Sequence, residues 1–394
     1  MHRLKELQAA HFLGIILIIM GLVNPQFILI RPNRIEVGSD VSFYAAISDT
    51  YLLIVSSIAF VVLLSVYLYL SMIRNRQTMV QLAILIVIFT LFLFVTGGAA
   101  AQGVTSLGTA ARASLGSGFW LMLFGIILLL WQASEQRGPM SVWMIVLCFF
   151  SVLLLFFRGL LKDISLVREF TDKSERILGE LLMHIQLSLM SCVVGFVIGV
   201  CLSYIAYRKR YFEGFVSSLA NFAQVIPTLS LLGLLMIPLT ALALRFPALK
   251  ALGISGIGFF PAFIVLTLYT LLPITANALA GFRSIPISVI EAAQAMGMKR
   301  HQLLFQVELP MALPSLFTGF RIALVQTIGN AILAGLVGGG GLGTVLFLGL
   351  AQSAPDLVLV ASLMVVSIAV LCEVVLSSIE TGLRHKLRGE LLHD

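Results

Sequence analysis

Long apolar runs separated by short polar segments dominate the pattern along this chain. About ten of the runs are long enough to cross, or nearly cross, the hydrocarbon of a bilayer. Backbone groups in lipid must pair within their own segment, so we expect each run to be a helix. The predicted spans are 12–30, 51–72, 79–97, 118–133, 141–158, 186–206, 216–240, 259–280, 311–336 and 357–380. The predicted fold class is an all-α polytopic membrane protein of about ten transmembrane helices.

The distribution of polar residues divides the chain near residue 158. Residues 1–158 form about five predicted spans and contain no motif with recognisable chemistry. Residues 159–185 carry alternating acids and bases beside apolar positions, which predicts one amphipathic periplasmic helix. Region 186–380 has polar residues within its spans and a long inner loop, 282–310, and 381–394 is a polar tail.

Composition agrees with a membrane protein, because 59% of the residues are hydrophobic and only 11% are charged. A soluble domain carries about a quarter charged residues.

The apolar run after Arg3 and Lys5 has no small-residue cleavage site, so it is predicted to be an uncleaved first span. Loops rich in lysine and arginine stay on the cytoplasmic side. The basic clusters Arg74–Arg76 and Arg208–Arg210 are therefore predicted to be cytoplasmic, which places both termini in the cytoplasm. No basic face for nucleic acid and no metal-ligand spacing is present in the sequence.

The longest polar segment in the second half runs from Ser284 to Pro310. It predicts a short helix that begins near Pro286, a left-handed break at Gly297 and a second short helix. The small side chains of Ala292 and Ala293 would let another protein approach closely. Glu291 either contacts that partner or reaches back to the Ser288 amide as a capping box.

The spacing of this segment resembles the cytoplasmic loop of the membrane subunits of bacterial ABC importers. Glu291-Ala292-Ala293 is followed at the family's spacing by Gly297 and by Leu309-Pro310. Val307 stands where the family pattern has isoleucine. The resemblance implies a coupling helix that docks on an ATP-binding subunit. The implied coupling residues are Glu291, Ala292, Ala293, Gly297, Leu309 and Pro310.

Further segments resemble the glycine betaine, carnitine and choline importer permeases. They are Gln224–Leu235, the stretch from Gly256 to Ile274, and Gly338–Gly343. The resemblance covers about residues 180–380 and implies the five-helix core of a type I ABC importer permease. The first five predicted spans are similar to those of the longer, Yeh-type osmoprotectant permeases.

Several partners follow from the resemblance. They are an ABC ATP-binding subunit, a periplasmic or extracellular solute-binding protein, and a second permease, with a heterodimer favoured over a homodimer. The sequence has no G-x-x-x-x-G-K-[ST] phosphate loop, so the chain is not expected to be an enzyme or to bind a cofactor. ATP would be used by the partner subunit. The implied location is the bacterial inner membrane.

Polar residues inside the predicted spans are candidates for the translocation pathway, because they are costly to bury in lipid. One set surrounds Pro227, and the other lies between Arg321 and Asn330. The alternative is hydrogen bonding between helices. Arg321 and Glu373 could form an ion pair, although nothing in the sequence brings them together. The pathway candidates are Gln224, Pro227, Thr228, Gln326 and Asn330, with Asn221, Ser230 and Thr327 in the same two sets.

The glycine-rich run Gly338–Gly343 follows no predicted strand, so it is not expected to bind a dinucleotide. We expect a break at the outer end of the 311–336 span that serves as an outer gate or contacts the binding protein. A plain loop is the alternative. The candidate gate residues are Gly338, Gly340, Gly341 and Gly343.

The predicted function is a permease subunit of an ATP-driven importer for compatible solutes of the betaine class. One alternative is an ABC permease for another solute, such as an amino acid or a bile-related compound. Another is a secondary transporter, which would need carboxylates within the membrane. Glu373 is the one clear carboxylate inside the predicted spans.

Overall fold

The structure is a computed structural model that describes residues 2–33, 36, 38–47, 51–72, 78–105, 107–108, 110–135, 140–251 and 253–390. The chain divides into two compact units, Met1–Asp172 and Lys173–Asp394. Arg74 and Arg76, which contribute to the predicted orientation, lie outside the described residues.

The first unit consists of helices and a small antiparallel sheet. Its strands are β1 Ile28–Arg31, β2 Ser39–Val41 and β3 Arg112–Leu115, with β1 in the centre. The sequence pattern did not predict these short strands. The helices are α1 His2–Val23, α2 Phe43–Ile47, α3 Tyr51–Met72, α4 Thr78–Thr105, α5 Ser117–Glu135, α6 Met140–Phe157 and α7 Ser165–Asp172.

The predicted span 12–30 is too long at its C-terminal end. Helix α1 ends at Val23, and residues from Ile28 onward pair in the sheet. Pro25 explains the difference, because the residue before a proline is driven out of the helical conformation.

Buried phenyl rings form the centre of the first unit. Phe27, Phe43, Phe60, Phe92 and Phe119 are all buried. The ring centroids of Phe27 and Phe43 are 5.0 Å apart in an edge-on contact, and those of Phe92 and Phe119 are 4.9 Å apart in a stacked contact. This aromatic cluster joins the residue before β1 to α2, α3, α4 and α5.

The segment 159–185 is not one helix, contrary to the prediction. A turn precedes α7, and a separate helix begins at Ser174. Leu161 and Ile164 are buried in the core of the first unit. Glu169 of α7 pairs with Arg112 of β3. These contacts hold the first part of the segment within the first unit.

Helices make up the second unit. They are α8 Ser174–Arg208, α9 Glu213–Val225, α10 Thr228–Arg245, α11 Pro247–Ala251, α12 Phe259–Arg283, α13 Ile287–Ala295, α14 Arg300–Leu303, α15 Leu309–Asn330, α16 Leu342–Ala351 and α17 Pro355–Glu390. Short 3₁₀ turns occur at Arg210–Phe212 and Ala331–Val337, and a π-helical turn spans Leu304–Glu308. Helix α17 extends through most of the predicted polar tail.

Helix α12 is central to this unit and packs against α8, α9 and α15. Glycines make the contact with α8 close. A Cβ atom at Gly199 would come within 2.7 Å of the Ile274 side chain, and one at Gly195 would overlap Thr270. Small residues four positions apart allow membrane helices to approach in this way.

The predicted span 216–240 is broken into two helices. Helix α9 ends at Val225 and α10 begins at Thr228. Pro227 has no N–H to continue the helix, and Ile226 before it is extended, with ψ 127°.

Seven described helices are long and apolar enough to cross a membrane, which confirms the all-α polytopic fold. Shorter apolar helices cover Ala9–Val23, Ser117–Ala133, Trp143–Phe157 and Leu342–Ala351. The first three correspond to predicted spans. The fourth, in α16, was not predicted as a span.

Candidate functional site

Helix α13 is the centre of the candidate site. In the chain it follows α12 after a short loop, and a turn separates it from α14, which leads through the π-helical turn into α15. Pro286 occupies the N-cap position in an extended conformation, and the helix begins at Ile287. Because α13 has only nine residues, its position depends on the loops and on packing more than on intrinsic helix stability.

One side of α13 is open to solvent. We call this side the α13 exposed face and define it by Ile287, Glu291, Ala292, Ala295 and Met296, all of which are exposed. Ile287 and Met296 retain 72% and 73% of their accessible surface, so this face carries two exposed apolar side chains. A partner protein could therefore bury apolar area here.

Ala293 does not belong to this face, although the sequence analysis placed it on the docking surface. It is only 3% exposed and points into its own unit. Residues 292 and 293 differ in this way because successive helix positions are about 100° apart.

The capping-box alternative for Glu291 does not occur. The helix begins at Ile287, so Glu291 lies in the second turn and Ser288 is not the N-cap residue. Among the described residues, no hydrogen bond or ion pair involves the Glu291 carboxylate. This carboxylate is free to meet an external partner.

Gly297 ends α13 as the sequence predicts. Its φ is +80°, in the left-handed region. Its amide donates to the Gln294 carbonyl (2.9 Å), and the Met298 amide donates to the Ala293 carbonyl (3.2 Å). This pair of bonds is a Schellman motif. Lys299 then begins α14, where its backbone amide donates to Gln302 Oε1 at 2.8 Å.

Leu309 and Pro310 lie at the start of α15 and are half-buried. Leu309 packs against a cluster that includes Phe282 and Leu316. These two residues therefore support the loop from inside and are not part of the α13 exposed face.

The sequence analysis missed Glu308, which precedes Leu309 and is completely buried. Its Oε2 accepts a hydrogen bond from Arg208 Nη2 of α8 at 3.0 Å. The position of this carboxylate beside the apolar Leu309 was the only sequence signal for its burial. The signal was weak, because Glu308 lies in a predicted loop, where charged residues are common.

The break between α9 and α10 carries three of the pathway candidates. Gln224 and Thr228 are half-exposed and Pro227 is exposed. Tyr269 of α12 secures the break, since its hydroxyl donates to the Ile226 carbonyl and its own carbonyl accepts from Gln224 Nε2 at 3.2 Å. Gln224 therefore also bonds helix to helix, the alternative role considered for it.

The other candidates lie on α15 and differ in their exposure. Gln326 is exposed and Asn330 is half-buried, whereas Thr327 is only 1% exposed and bonds to the Ala323 carbonyl. Thr327 is therefore structural, and its prediction as a lining residue was wrong. Within the described ranges, no hydrogen bond joins Gln224 or Thr228 to Gln326 or Asn330.

Arg321 and Glu373 do form an ion pair between α15 and α17. Arg321 Nε also lies 2.9 Å from Glu380 Oε2. Glu380 Oε1 accepts from Thr318 Oγ1 (2.7 Å) and from Arg384 Nη2 (2.9 Å). Arg321 thus joins α15 to α17. Glu380 and Arg384 are four residues apart, a spacing that predicts a helical ion pair.

The glycine run makes a tight turn before α16. Gly338, Gly340 and Gly341 have φ values of +73°, +77° and +85°. Gly338 is exposed and Gly340 is half-buried. Gly341 and Gly343 are buried. A Cβ at Gly341 would lie 3.1 Å from His184 Nδ1, and one at Gly343 would overlap the Ile332 carbonyl. These two glycines cannot contact a binding protein in this arrangement.

In the part of the chain that the structure describes, no group of three or more His, Cys, Asp and Glu side chains is arranged to hold a metal ion. Several helices long and apolar enough to cross a membrane, with an exposed helical loop between two of them, define a polytopic membrane protein.

Comparisons with known proteins specify the class further. The family model for the binding-protein-dependent transport system inner membrane component matches residues 193–389. A second model, described as the N-terminal domain of the ABC transporter permease YehY, matches residues 7–167. The chain therefore belongs to the family of inner membrane components of binding-protein-dependent transport systems.

Several known proteins align with about half of the chain. The carnitine transport permease protein OpuCB of Listeria monocytogenes is 30% identical over 56% of this chain and 94% of its own length. The osmoprotectant import permease protein OsmW of Salmonella typhimurium is 34% identical over 52% and 89%. The MetNI methionine ABC transporter, solved in inward-facing conformations, is 25% identical with a TM-score of 0.46, over 54% of this chain and 98% of that chain.

Proposed function

We propose that this chain is the permease subunit of an ATP-driven importer for osmoprotectants of the glycine betaine, carnitine and choline class. The observation that carries the coupling part of the proposal is the α13 exposed face. Support for the substrate class comes from the relatives, which are named as carnitine, choline and osmoprotectant permeases.

The α13 exposed face would dock on the ATP-binding subunit. Ile287 and Met296 offer apolar contact area, Ala292 permits close approach, and Glu291 offers an unpaired carboxylate for a basic residue of the partner. Gly297 fixes the end of the helix, and Leu309 with Pro310 connects the loop to α15. ATP would be bound and hydrolysed by the partner, and this chain would bind no cofactor.

The translocation pathway would pass the break between α9 and α10. This break exposes polar groups around Pro227, and a broken membrane helix is tolerated where it lines a cavity or is buried in protein. Gln224 and Thr228 from this break, with Gln326 and Asn330 from α15, would line the pathway. Gly338 and the half-buried Gly340 would belong to the outer gate. The glycine turn before α16 would change its conformation when this gate opens.

The assembly would contain two permeases, two ATP-binding subunits and a solute-binding protein on the outer side. A heterodimer with a second, shorter permease is the favoured form. In this arrangement residues 186–380 are the permease core, the loop 282–310 is cytoplasmic, and residues 1–158 form an N-terminal extension. Both termini lie in the cytoplasm.

Aspartate substitutions at neighbouring alanines test the coupling face. Ala292→Asp places a charge on the exposed face and should prevent co-purification with the co-expressed ATP-binding subunit. The matched control is Ala251→Asp, an exposed alanine of α11, which should leave co-purification unchanged. Normal co-purification of Ala292→Asp would contradict the proposed face.

Ala293→Asp should behave differently from Ala292→Asp. It buries a carboxylate beside the loop, which costs about 2 kcal/mol or more without a partner. We expect a lower melting temperature of the purified chain for Ala293→Asp and an unchanged one for Ala292→Asp. Thermal unfolding in detergent followed by circular dichroism would measure both.

A further inference from the structure

The carboxylate of Glu308 is fully enclosed beneath the loop. The residue has no accessible surface, and its Oε2 accepts a hydrogen bond from Arg208 Nη2 at 3.0 Å. In the described residues Oε1 has no hydrogen-bond partner, and Arg208 is the only cation at ion-pair distance. Removing one partner of such a pair leaves an uncompensated charge. The position of Glu308 is therefore closely linked to that of Arg208.

Arg208 is itself fixed by aromatic side chains. Its Nε donates to the Tyr204 hydroxyl at 3.1 Å, and its guanidinium carbon lies 5.3 Å and 5.6 Å from the ring centroids of Tyr204 and Tyr207. Both rings contact Phe282, with centroid distances of 5.6 Å. Phe282 is buried near the end of α12. Through these contacts the ends of α8 and α12 meet the residue that precedes α15.

The π-helical turn Leu304–Glu308 directs Glu308 inward. Leu303 and Glu308 are both buried, whereas Phe305 and Gln306 between them are exposed. In an α-helix, two residues five positions apart point about 140° away from each other. The wider π turn reduces this angle and brings both side chains to the inner side. Single π turns of this kind occur frequently at functional sites.

We propose that Glu308 and Arg208 are positioning residues that transmit the displacement of the coupling loop to α8. The inference rests on the proposed function, in which α13 receives motion from the ATP-binding subunit. Glu308 leads directly into α15, and Arg208 ends α8. The ion pair therefore makes α8 and α15 move together when the loop is displaced. Without it, less of the loop displacement reaches the end of α8, although α12 still packs against both helices.

A second ion pair near the loop provides a matched control. Arg283 at the end of α12 pairs with Glu213 at the start of α9, and both side chains are partly exposed. Exposed pairs contribute little, because water screens them. The variants to compare are Glu308→Gln and Glu213→Gln, each of which replaces one carboxylate by an amide of the same shape.

The experiment measures solute uptake and ATP hydrolysis in the same proteoliposomes that contain the whole importer and its loaded binding protein. The readout is the amount of solute imported per ATP hydrolysed. We expect Glu308→Gln to lower this ratio about tenfold, within the range by which single positions alter coupling. Glu213→Gln should leave the ratio unchanged. A merely structural role would lower uptake and hydrolysis in proportion.

An unchanged ratio in Glu308→Gln would overturn the inference, whether both activities are normal or fall together. Arg208→Lys is the second variant for the case in which Glu308→Gln does not assemble. It keeps the positive charge but loses the planar contact with Tyr204 and Tyr207, and it should lower the ratio by a smaller factor. Failure of both variants to assemble would identify the pair as a folding element only and would equally overturn the inference.

The outcome for Ala292→Asp separates this inference from the proposed function. If Ala292→Asp abolishes co-purification while Glu308→Gln keeps a normal ratio, the coupling face stands and only the transmission through Arg208 fails. If Ala292→Asp keeps both co-purification and uptake, the proposed function of α13 fails first.

Discussion

Two neighbouring alanines of α13 have opposite environments, and we propose different roles for them on this basis. Ala292 is exposed and Ala293 is buried. The sequence shows that this helix carries several small residues, but it does not indicate which alanine faces outward. The rotation of so short a helix is determined by what lies beneath it, here the cluster to which Ile290 and Leu309 belong.

Gly297 is the residue of the loop for which backbone conformation matters most. A Cβ at this position would meet no atom within 4 Å, so a substitution is opposed only by its φ of +80°. The left-handed conformation costs an L-residue about 1–2 kcal/mol, which is roughly a tenfold change in population. We expect Gly297→Val to reduce uptake strongly while the protein remains in the membrane.

Gly297→Asn is the control for this prediction, because asparagine tolerates the left-handed region better than a β-branched residue. Its uptake should remain well above that of Gly297→Val in a radiolabelled solute assay. Equal uptake by the two variants would show that the left-handed turn is not required for coupling.

At the scale of elements, the break between α9 and α10 depends on α12. The Tyr269 hydroxyl donates to the carbonyl of Ile226, which is left without a helical partner by the break. A carbonyl left without a hydrogen-bond partner costs about 1–3 kcal/mol when it is fully buried, and less at the half-buried Ile226. Tyr269→Phe should therefore loosen the break and lower uptake without reducing co-purification with the ATP-binding subunit.

Tyr211→Phe is the matched control, since Tyr211 is 75% exposed and lies in the short 3₁₀ turn between α8 and α9. It should retain uptake. If Tyr269→Phe transports as well as Tyr211→Phe, the hydroxyl contact does not control the geometry of the break.

The prolines show why the helices could be predicted but the break could not. Pro238, Pro273 and Pro314 lie inside α10, α12 and α15 without ending them, whereas Pro227 separates two helices. Membrane helices tolerate a proline where neighbouring helices or side chains form hydrogen bonds with the backbone groups that the proline leaves unpaired. The different outcome at Pro227 involves Tyr269, which is more than forty residues away in the sequence, as its bond to Ile226 shows.

At the scale of the whole molecule, apolar length predicted the polytopic fold and short motifs predicted the loop with its partner class. The sequence did not predict the pairing of Glu308 with Arg208, and it offered the pairing of Arg321 with Glu373 only as a possibility. Each pair joins residues that are far apart in the chain. Periodicity indicates which helices exist. It does not indicate which of their charges meet.

The proposed orientation can be tested with two single cysteines on opposite sides of the second unit. The four native cysteines, which are free, would first be replaced by serine. Ala292→Cys should react with a membrane-impermeant maleimide only after cells are permeabilised, because the loop is proposed to be cytoplasmic. Ala251→Cys should react in intact cells. The reverse pattern would contradict the proposed orientation.

ATP-dependent uptake of radiolabelled glycine betaine tests the central claim most directly. The complete importer, with its ATP-binding subunit and loaded binding protein, would be reconstituted in proteoliposomes with the original chain, Ala292→Asp or Ala251→Asp. We predict uptake that requires ATP for the original chain and for Ala251→Asp, and none for Ala292→Asp. Uptake that proceeds without ATP, or that is unaffected by Ala292→Asp, would contradict it.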